Sequence, residues 1–266
     1  MFSGIGREIS NYLAAKGGII YMICRNKERA IEAQNEIKNQ FNNPEVYILV
    51  GDCGSEHDVR RMWKEFTDHR TSKNNNIQLN SLICNAGALS KSKTLTKEGI
   101  ETTFATHLLF GTYLLGSLAL PTLTSTPDSR LIAVSSGGMY NTKFPSWDVA
   151  TSTSCHVNYD GQLAYAYAKR GQVLLCERWS NLYANSPVSI VSCHPGKLKE
   201  VTLFSLCIID CICTSNFLMY VYICMNVYCI YIYMYVYINM YLCMNVCMNV
   251  CMCMYVYVCM YVCMYV

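Results

Sequence analysis

Five short apolar runs, separated by stretches of helical spacing, leave this chain few folds to choose from. Residues 19–24, Val46–Val50, 79–84, Arg130–Val134 and 188–193 have the length and apolar character of buried strands. Between them the spacing predicts helices over 7–16, 26–41, 55–69, 99–120 and 162–183, the first stopped by Gly17-Gly18. Strands separated by helices of this length need right-handed crossovers, and so a parallel sheet with helices on both faces. The predicted fold class is α/β, a doubly wound parallel sheet of the nucleotide-binding, Rossmann-like kind. The polar stretch 136–161, which carries Trp147, is expected to be a loop over the site.

Composition divides the chain into two unlike pieces. Residues 1–196 mix charged, polar and apolar residues as a globular domain does, whereas 201–266 contain one charged residue, Asp210, and neither Gly nor Pro. The closing run Cys-Met-Tyr-Val-Cys-Met-Tyr-Val is what a repeated ATGT tetranucleotide encodes, so 197–266 read as a low-complexity tail translated from non-coding DNA rather than a domain. A long uncharged stretch also fits a membrane anchor, but recurrent Asn, Tyr-rich alternation and the lack of flanking Lys or Arg speak against one. Such a tail is expected to aggregate or touch membranes. The net charge of +3 is scattered, with no basic stripe, which argues against nucleic acid. No secretory signal opens the chain, so the expectation is cytoplasmic, with membrane association open through the tail. Cys24, Cys53, Cys84, Cys155, Cys176 and Cys193 lack close pairing and are expected to be reduced thiols, largely in the core; no metal site is expected.

The candidate chemistry lies at the strand ends. Gly4, Ile5 and Gly6 open the first helix, where free N–H groups and the helix dipole suit a pyrophosphate; ordinary turn chemistry is the rival reading. Arg25 follows the first strand at the place where a cation accommodates a 2′-phosphate, which favours NADP and leaves NAD open; a solvated arginine near a helix start is the alternative. Asp52 suits an adenine amino group or merely a turn. Asn85, Ala86 and Gly87 form a small-residue turn at the end of the third strand, where open α/β sheets bind ligands.

Ser136, Tyr165 and Lys169 are the candidate catalytic residues. A Tyr phenol ordinarily titrates at about 10, so acid-base work near neutrality needs a cation to stabilise its phenolate. Lys169 lies four residues from Tyr165 on one helix face. Ser136 can hydrogen-bond a substrate carbonyl while Tyr165 supplies the proton. Tyr12 and Lys16 share this spacing but follow no serine-ended strand, and Tyr167 lies on a different face from Lys169.

In this order, Gly-Ile-Gly-Arg-Glu, Cys-Arg-Asn, Asp52, Asn85-Ala86-Gly87, Val134-Ser135-Ser136-Gly137-Gly138, Tyr165-x-x-x-Lys169 and Pro195-Gly196 resemble the short-chain dehydrogenase/reductase family. Val-Ser-Ser-Gly-Gly-Met-Tyr and Glu177-Arg178-Trp179 look most like its member-12 subgroup. The resemblance implies an NAD(P)-dependent oxidoreductase that interconverts a carbonyl and an alcohol on a small molecule, with a lipophilic one open. It adds Pro195 and Gly196 to the cofactor site and gives Lys169 and Tyr165 contacts to the cofactor.

The family pattern begins with a further strand, central in the sheet, and continues past Pro-Gly. The resemblance therefore implies a partial domain over 1–196, lacking the first strand and the C-terminal part, and an inactive fragment is the rival to an enzyme. The family's helical Asn falls near Thr106-His107, where neither residue is Asn; His107 there is either a water ligand or structural. Sequencing the spliced transcript is expected to show coding sequence that departs from this chain after about Lys197. A mature message that encodes the Met-Tyr-Val-Cys repeats would overturn the non-coding origin of the tail.

Overall fold

The computed structural model describes residues 4–73, 77–150 and 159–194; Pro195, Gly196 and the tail lie outside them. Its elements are α1 Ile5–Ala15, β1 Ile20–Cys24, α2 Lys27–Phe41, β2 Val46–Val50, α3 Glu56–Lys73 and β3 Ser81–Cys84. There follow α4 Thr102–Ser125, β4 Arg130–Val134, a 3-10 turn Gly137–Asn141, α5 Trp147–Ala150, α6 Gly161–Leu182 and β5 Ser189–Cys193. The alternation is the expected one, and every strand pairing is parallel.

Local chemistry sets the helix ends. Asn26 caps α2 by accepting from the Arg29 N–H at 2.8 Å, and Asn42 ends it in the left-handed region with φ of 48°. Asp160 caps α6 by accepting from the N–H groups of Gln162 and Leu163 at 2.9 and 3.1 Å. α1 starts differently. Gly4, with φ of 78°, supplies no side-chain cap, so the first N–H groups of this helix keep their outward-facing donors.

The strands form two ladders, β1–β2 and β3–β4–β5. In the first Ile20 stands opposite Val46, and in the second Leu131 stands between Leu82 and Ile190. β1 and β3 share no ladder, and the strand that the family resemblance places between them is not among the described residues. Helices span the interruption on both faces. On one, α1 sets Ala14 against Ile20 and Met22 of β1, and Ile9 against Val134 of β4 with Ile83 of β3 beside it. On the other, Val59, Met62, Phe110 and Leu115 gather Tyr21 and Ile23 of β1 with Leu82 of β3. A further apolar cluster joins Leu123, Leu131, Cys176, Trp179 and Ile190 between α4, α6 and the second ladder.

Three expectations are corrected. Leu79 gives its N–H to the Thr126 hydroxyl at 3.3 Å, and β3 begins at Ser81. The stretch 136–161 is not all loop, since it holds the 3-10 turn and α5, with residues 151–158 outside the description. The helix expected over 99–120 runs over Thr102–Ser125, and its middle, Ala105–Leu114, is π-helical. This helix is long and apolar enough to cross a membrane, but most of it is buried against the sheet and α6, as a core helix is.

The π segment leaves no room at Gly111, where a Cβ would run into the Thr106 carbonyl oxygen. Gly111→Ala is expected to lower stability by about 1–3 kcal/mol, the ordinary cost of forcing a methyl into a packed interior. The midpoint of urea unfolding checks it, and an unchanged midpoint would show that the π turn closes to α without cost.

Candidate active site

The C-terminal ends of β3, β4 and β5 converge on one turn of α6. Ser135, buried, donates its hydroxyl to the Lys169 carbonyl at 2.8 Å, and the Lys169 ammonium donates back to the Val134 carbonyl at 2.7 Å. These two bonds pin the end of β4 to α6. Ser136 follows in extended geometry and opens the 3-10 turn, in which Gly138 rests on Ala166, 3.6 Å from the Ala166 Cβ to the Cβ that Gly138 lacks. The structure thus places half-buried Ser136 directly after the end of β4 that Lys169 pins, and half-buried Tyr165 one turn before buried Lys169 on α6.

Lys169 is 3 % exposed, which decides its behaviour: burial pushes its ammonium down to about 8. Its Nζ lies 5.6 Å from the centre of the Tyr165 ring. Among the described residues its hydrogen bonds go to Val134 and, at 3.1 Å, to the Gln172 side chain rather than to Tyr165. Tyr12 and Lys16 show the decoy for what it is, an ammonium 5.8 Å from a ring at the end of α1.

His107 is the residue that the sequence left between two roles. It is 1 % exposed, its ring meets the Tyr165 ring edge-on at 5.1 Å, and its Nε2 accepts from the Ala88 N–H at 2.8 Å. The proton is therefore assigned to Nδ1, which has no hydrogen-bond partner among the described residues. Burial, reinforced by the Lys169 charge, pushes the ring down to about 3, so it is neutral near pH 7. Gly87 is needed here, because a Cβ would lie 2.5 Å from Nε2. His107 thereby fixes the Asn85-Ala86-Gly87 turn over the site.

The outer residues are less committed. Gly4, Ile5 and Gly6 stand at the uncapped start of α1, and a Cβ on Gly4 would have nothing within 4 Å. Arg25 lies 3.9 Å from Asp52, both well exposed, a pairing worth little in water. Asn26, not Arg25, caps α2. Asp52 accepts from the Gly54 N–H at 2.8 Å, the turn-capping alternative for that residue. Gln172 and Thr112 were missed. Gln172 donates to the His107 carbonyl and the Thr112 hydroxyl at 2.9 and 2.8 Å, and the only sequence signal was a Gln three residues after Lys169 on the buried face of α6. Cys24, Cys53, Cys84 and Cys176 are buried free thiols, Cys193 is partly buried, and Cys155 is not described.

A parallel, doubly wound α/β sheet with these strand-end turns is a protein of the dinucleotide-binding class. The model for short chain dehydrogenases matches residues 1–147, and the chain belongs to that family. It is 35% identical over 195 residues to bovine (Bos taurus) dehydrogenase/reductase SDR family member 12 and 33% identical over 194 residues to the human (Homo sapiens) protein of that name; each match covers 73% of this chain and 57% of the relative. The chain thus spans just over half the length of these curated relatives. Human retinol dehydrogenase 12 is 27% identical over 198 residues, 74% of this chain and 59% of that one. Among solved structures, a metagenomic short-chain oxidoreductase in complex with NADP superposes with a TM-score of 0.62 at 17% identity, over 81% of this chain and 90% of that one. A short-chain dehydrogenase from Sphingobium yanoikuyae in complex with NADPH gives 0.61 at 16%, over 78% and 79%. These two likenesses concern the fold.

Neutral burial of His107 has a consequence for acid stability. Its folded pKa is lowered from 6.5 to about 3, so the unfolded chain binds the extra proton. Stability is then complete above the unfolded value and is lost as pH falls from about 6.5 towards 3, by up to about 1.4 kcal/mol per pH unit. His107→Asn is expected to flatten that acid slope relative to the parent in urea unfolding between pH 4 and pH 7, window values set by the same shift. Parallel slopes would show that the ring is protonated in the folded state.

Proposed function

We propose that this chain carries the site of an NADP-preferring oxidoreductase that interconverts a carbonyl and an alcohol on a small molecule. The supporting observation is the buried Lys169 on the helical turn below Tyr165, pinned to the end of β4 that delivers Ser136. In this reading Tyr165 gives a proton to the carbonyl oxygen, or takes one from the alcohol. The Lys169 charge stabilises the phenolate, and Ser136 holds the oxygen by a hydrogen bond.

The residues present fit a dinucleotide on two features of the structure. The uncapped, Cβ-free start of α1 at Gly4 leaves Ile5 and Gly6 donors open to a phosphate. Arg25 is held only loosely by Asp52, which leaves its guanidinium available to a second phosphate. Asn85, Ala86 and Gly87 would line the nicotinamide side, with Tyr165 and Lys169 reaching the ribose; Pro195 and Gly196, outside the described residues, belong to the same site in this reading. The bound cofactor would supply the hydride. The human retinol dehydrogenase among the relatives supports a lipophilic alcohol or its carbonyl as substrate.

One observation favours a second reading, an inactive fragment of such an enzyme: β1 and β3 share no ladder among the described residues. Titration with NADPH and NADH, followed by protein fluorescence, separates the two. The enzyme reading expects NADPH to bind tighter than NADH, Arg25→Ala to cost about tenfold in NADPH affinity (~1.4 kcal/mol) and none in NADH affinity. It also expects Tyr165→Phe to keep binding while losing NADPH-dependent reduction of a model aldehyde. Binding that appears only after a strand-forming segment is fused ahead of Met1 would decide for the second reading.

A further inference from the structure

Behind Tyr165 and Lys169 lies a polar chain that joins two helices through the interior. The Lys169 ammonium donates to Gln172 Oε1 at 3.1 Å; Gln172 Nε2 donates to the His107 carbonyl at 2.9 Å and to Thr112 Oγ1 at 2.8 Å; and the Thr112 hydroxyl donates to the same His107 carbonyl at 2.6 Å. Gln172, Thr112 and Lys169 are between 1 and 3 % exposed, so water is no substitute for any member. The amide has only one workable orientation. Turned over, its NH2 would face the ammonium, a donor against a donor, and its oxygen would face the His107 carbonyl. The acceptors exist because α4 is π-helical at this point. Thr112 lies five residues beyond His107, and the widened turn presents both the carbonyl and the hydroxyl to α6.

We propose that Gln172 is the positioning residue for Lys169: its amide ties the ammonium to the π turn of α4 and so fixes where the positive charge beside Tyr165 sits. Among the described residues the ammonium has two acceptors, and the other, the Val134 carbonyl, is backbone. Gln172 is therefore the side chain through which sequence can adjust that charge. The other titratable groups facing Lys169 are Cys84 from β3, Cys193 from β5, His107 from α4 and Tyr165 on its own helix. Burial raises the Cys84 thiol and lowers the His107 ring, so both are neutral near pH 7 and neither supplies a countercharge. The role assigned to Gln172 in catalysis rests on the function proposed for Tyr165 and Lys169, while its effect on the lysine can be read without cofactor or substrate.

The test is the titration of Lys169 in the full chain, followed by the 13Cε shift of labelled lysine and assigned with Lys169→Met. Gln172→Glu keeps the shape of the side chain and sets a carboxylate beside the ammonium. It is expected to move the titration up by about one unit or more, as an opposite charge within hydrogen-bonding reach does. Gln172→Met removes the acceptor and is expected to move it down. An unchanged midpoint in Gln172→Glu overturns the proposal and leaves the amide as a strut between α4 and α6. The unmodified chain gives a second measurement that needs no variant to fold: both Gln172 side-chain amide protons are expected to exchange with solvent at least about a hundredfold more slowly than a free glutamine amide, in keeping with burial in a closed network. Exchange at the free rate also overturns it. NADPH binding plays no part in either readout, so failure of the cofactor site and failure of this assignment are told apart.

Discussion

A buried ammonium organises this molecule. Lys169 has almost no contact with solvent, and a charge taken out of water needs oxygens around it. The chain supplies them from three directions: the Val134 carbonyl at the end of β4, Gln172 one turn further along α6, and, through that amide, the His107 carbonyl and Thr112 hydroxyl of α4. Each demand has a structural cost. The end of β4 has to lie against α6, which Ser135 secures by donating to the Lys169 carbonyl. α4 has to open into π geometry, which requires a residue without a Cβ at Gly111. The docking of the strand end before Ser136 onto the helix that carries Tyr165 then follows from solvating one charge.

The same residues tie the turn after β3 to the site. His107 points its carbonyl to Gln172 and its ring to Ala88 and Tyr165, so one residue of the π segment touches both the polar chain and the loop over the strand ends. Neutrality of the ring follows first from its burial and then from the Lys169 charge, which would oppose a second buried cation. An uncharged His with one donor left over is therefore the form in which this position faces Tyr165.

The interrupted sheet places this well-built site in tension with its scaffold. β1 and β3 each keep an edge with no ladder partner among the described residues, although α1 covers both on one face and α3 with α4 on the other. The second ladder, with Ser136, Tyr165, Lys169 and the polar chain, has its own apolar cluster in Leu123, Leu131, Trp179 and Ile190. The first ladder carries Arg25 and Asp52, the residues proposed for the cofactor. The side chains proposed for chemistry and those proposed for the adenine half of the cofactor thus sit on separate ladders, and the apolar helices between them hold the two in register.

How far the sequence reveals this depends on whether a feature is local. Val46–Val50 and Arg130–Val134 match their apolar runs to the residue, because a strand buried among helices needs an unbroken apolar segment and little else. Leu79 looks the same in sequence, yet it falls outside β3 because the hydroxyl of Thr126, forty-seven residues away, takes its N–H. Tyr165 and Lys169 are legible as an i, i+4 pair on one helix, and Ser136 as a polar residue at a strand end. Gln172 is not, since a glutamine inside a helix is ordinarily a solvent-facing residue, and only the π turn of a different helix makes it a buried bridge. The π turn itself has no period to read: its apolar residues fall on every side, Leu108, Leu109, Phe110 and Leu114 among them, so a shift of hydrogen bonding from four residues to five leaves no mark in the pattern. What sequence shows here is the candidate reacting groups; what it hides is the set of acceptors that holds the Lys169 charge, because those acceptors are a backbone carbonyl and an amide brought together only by packing.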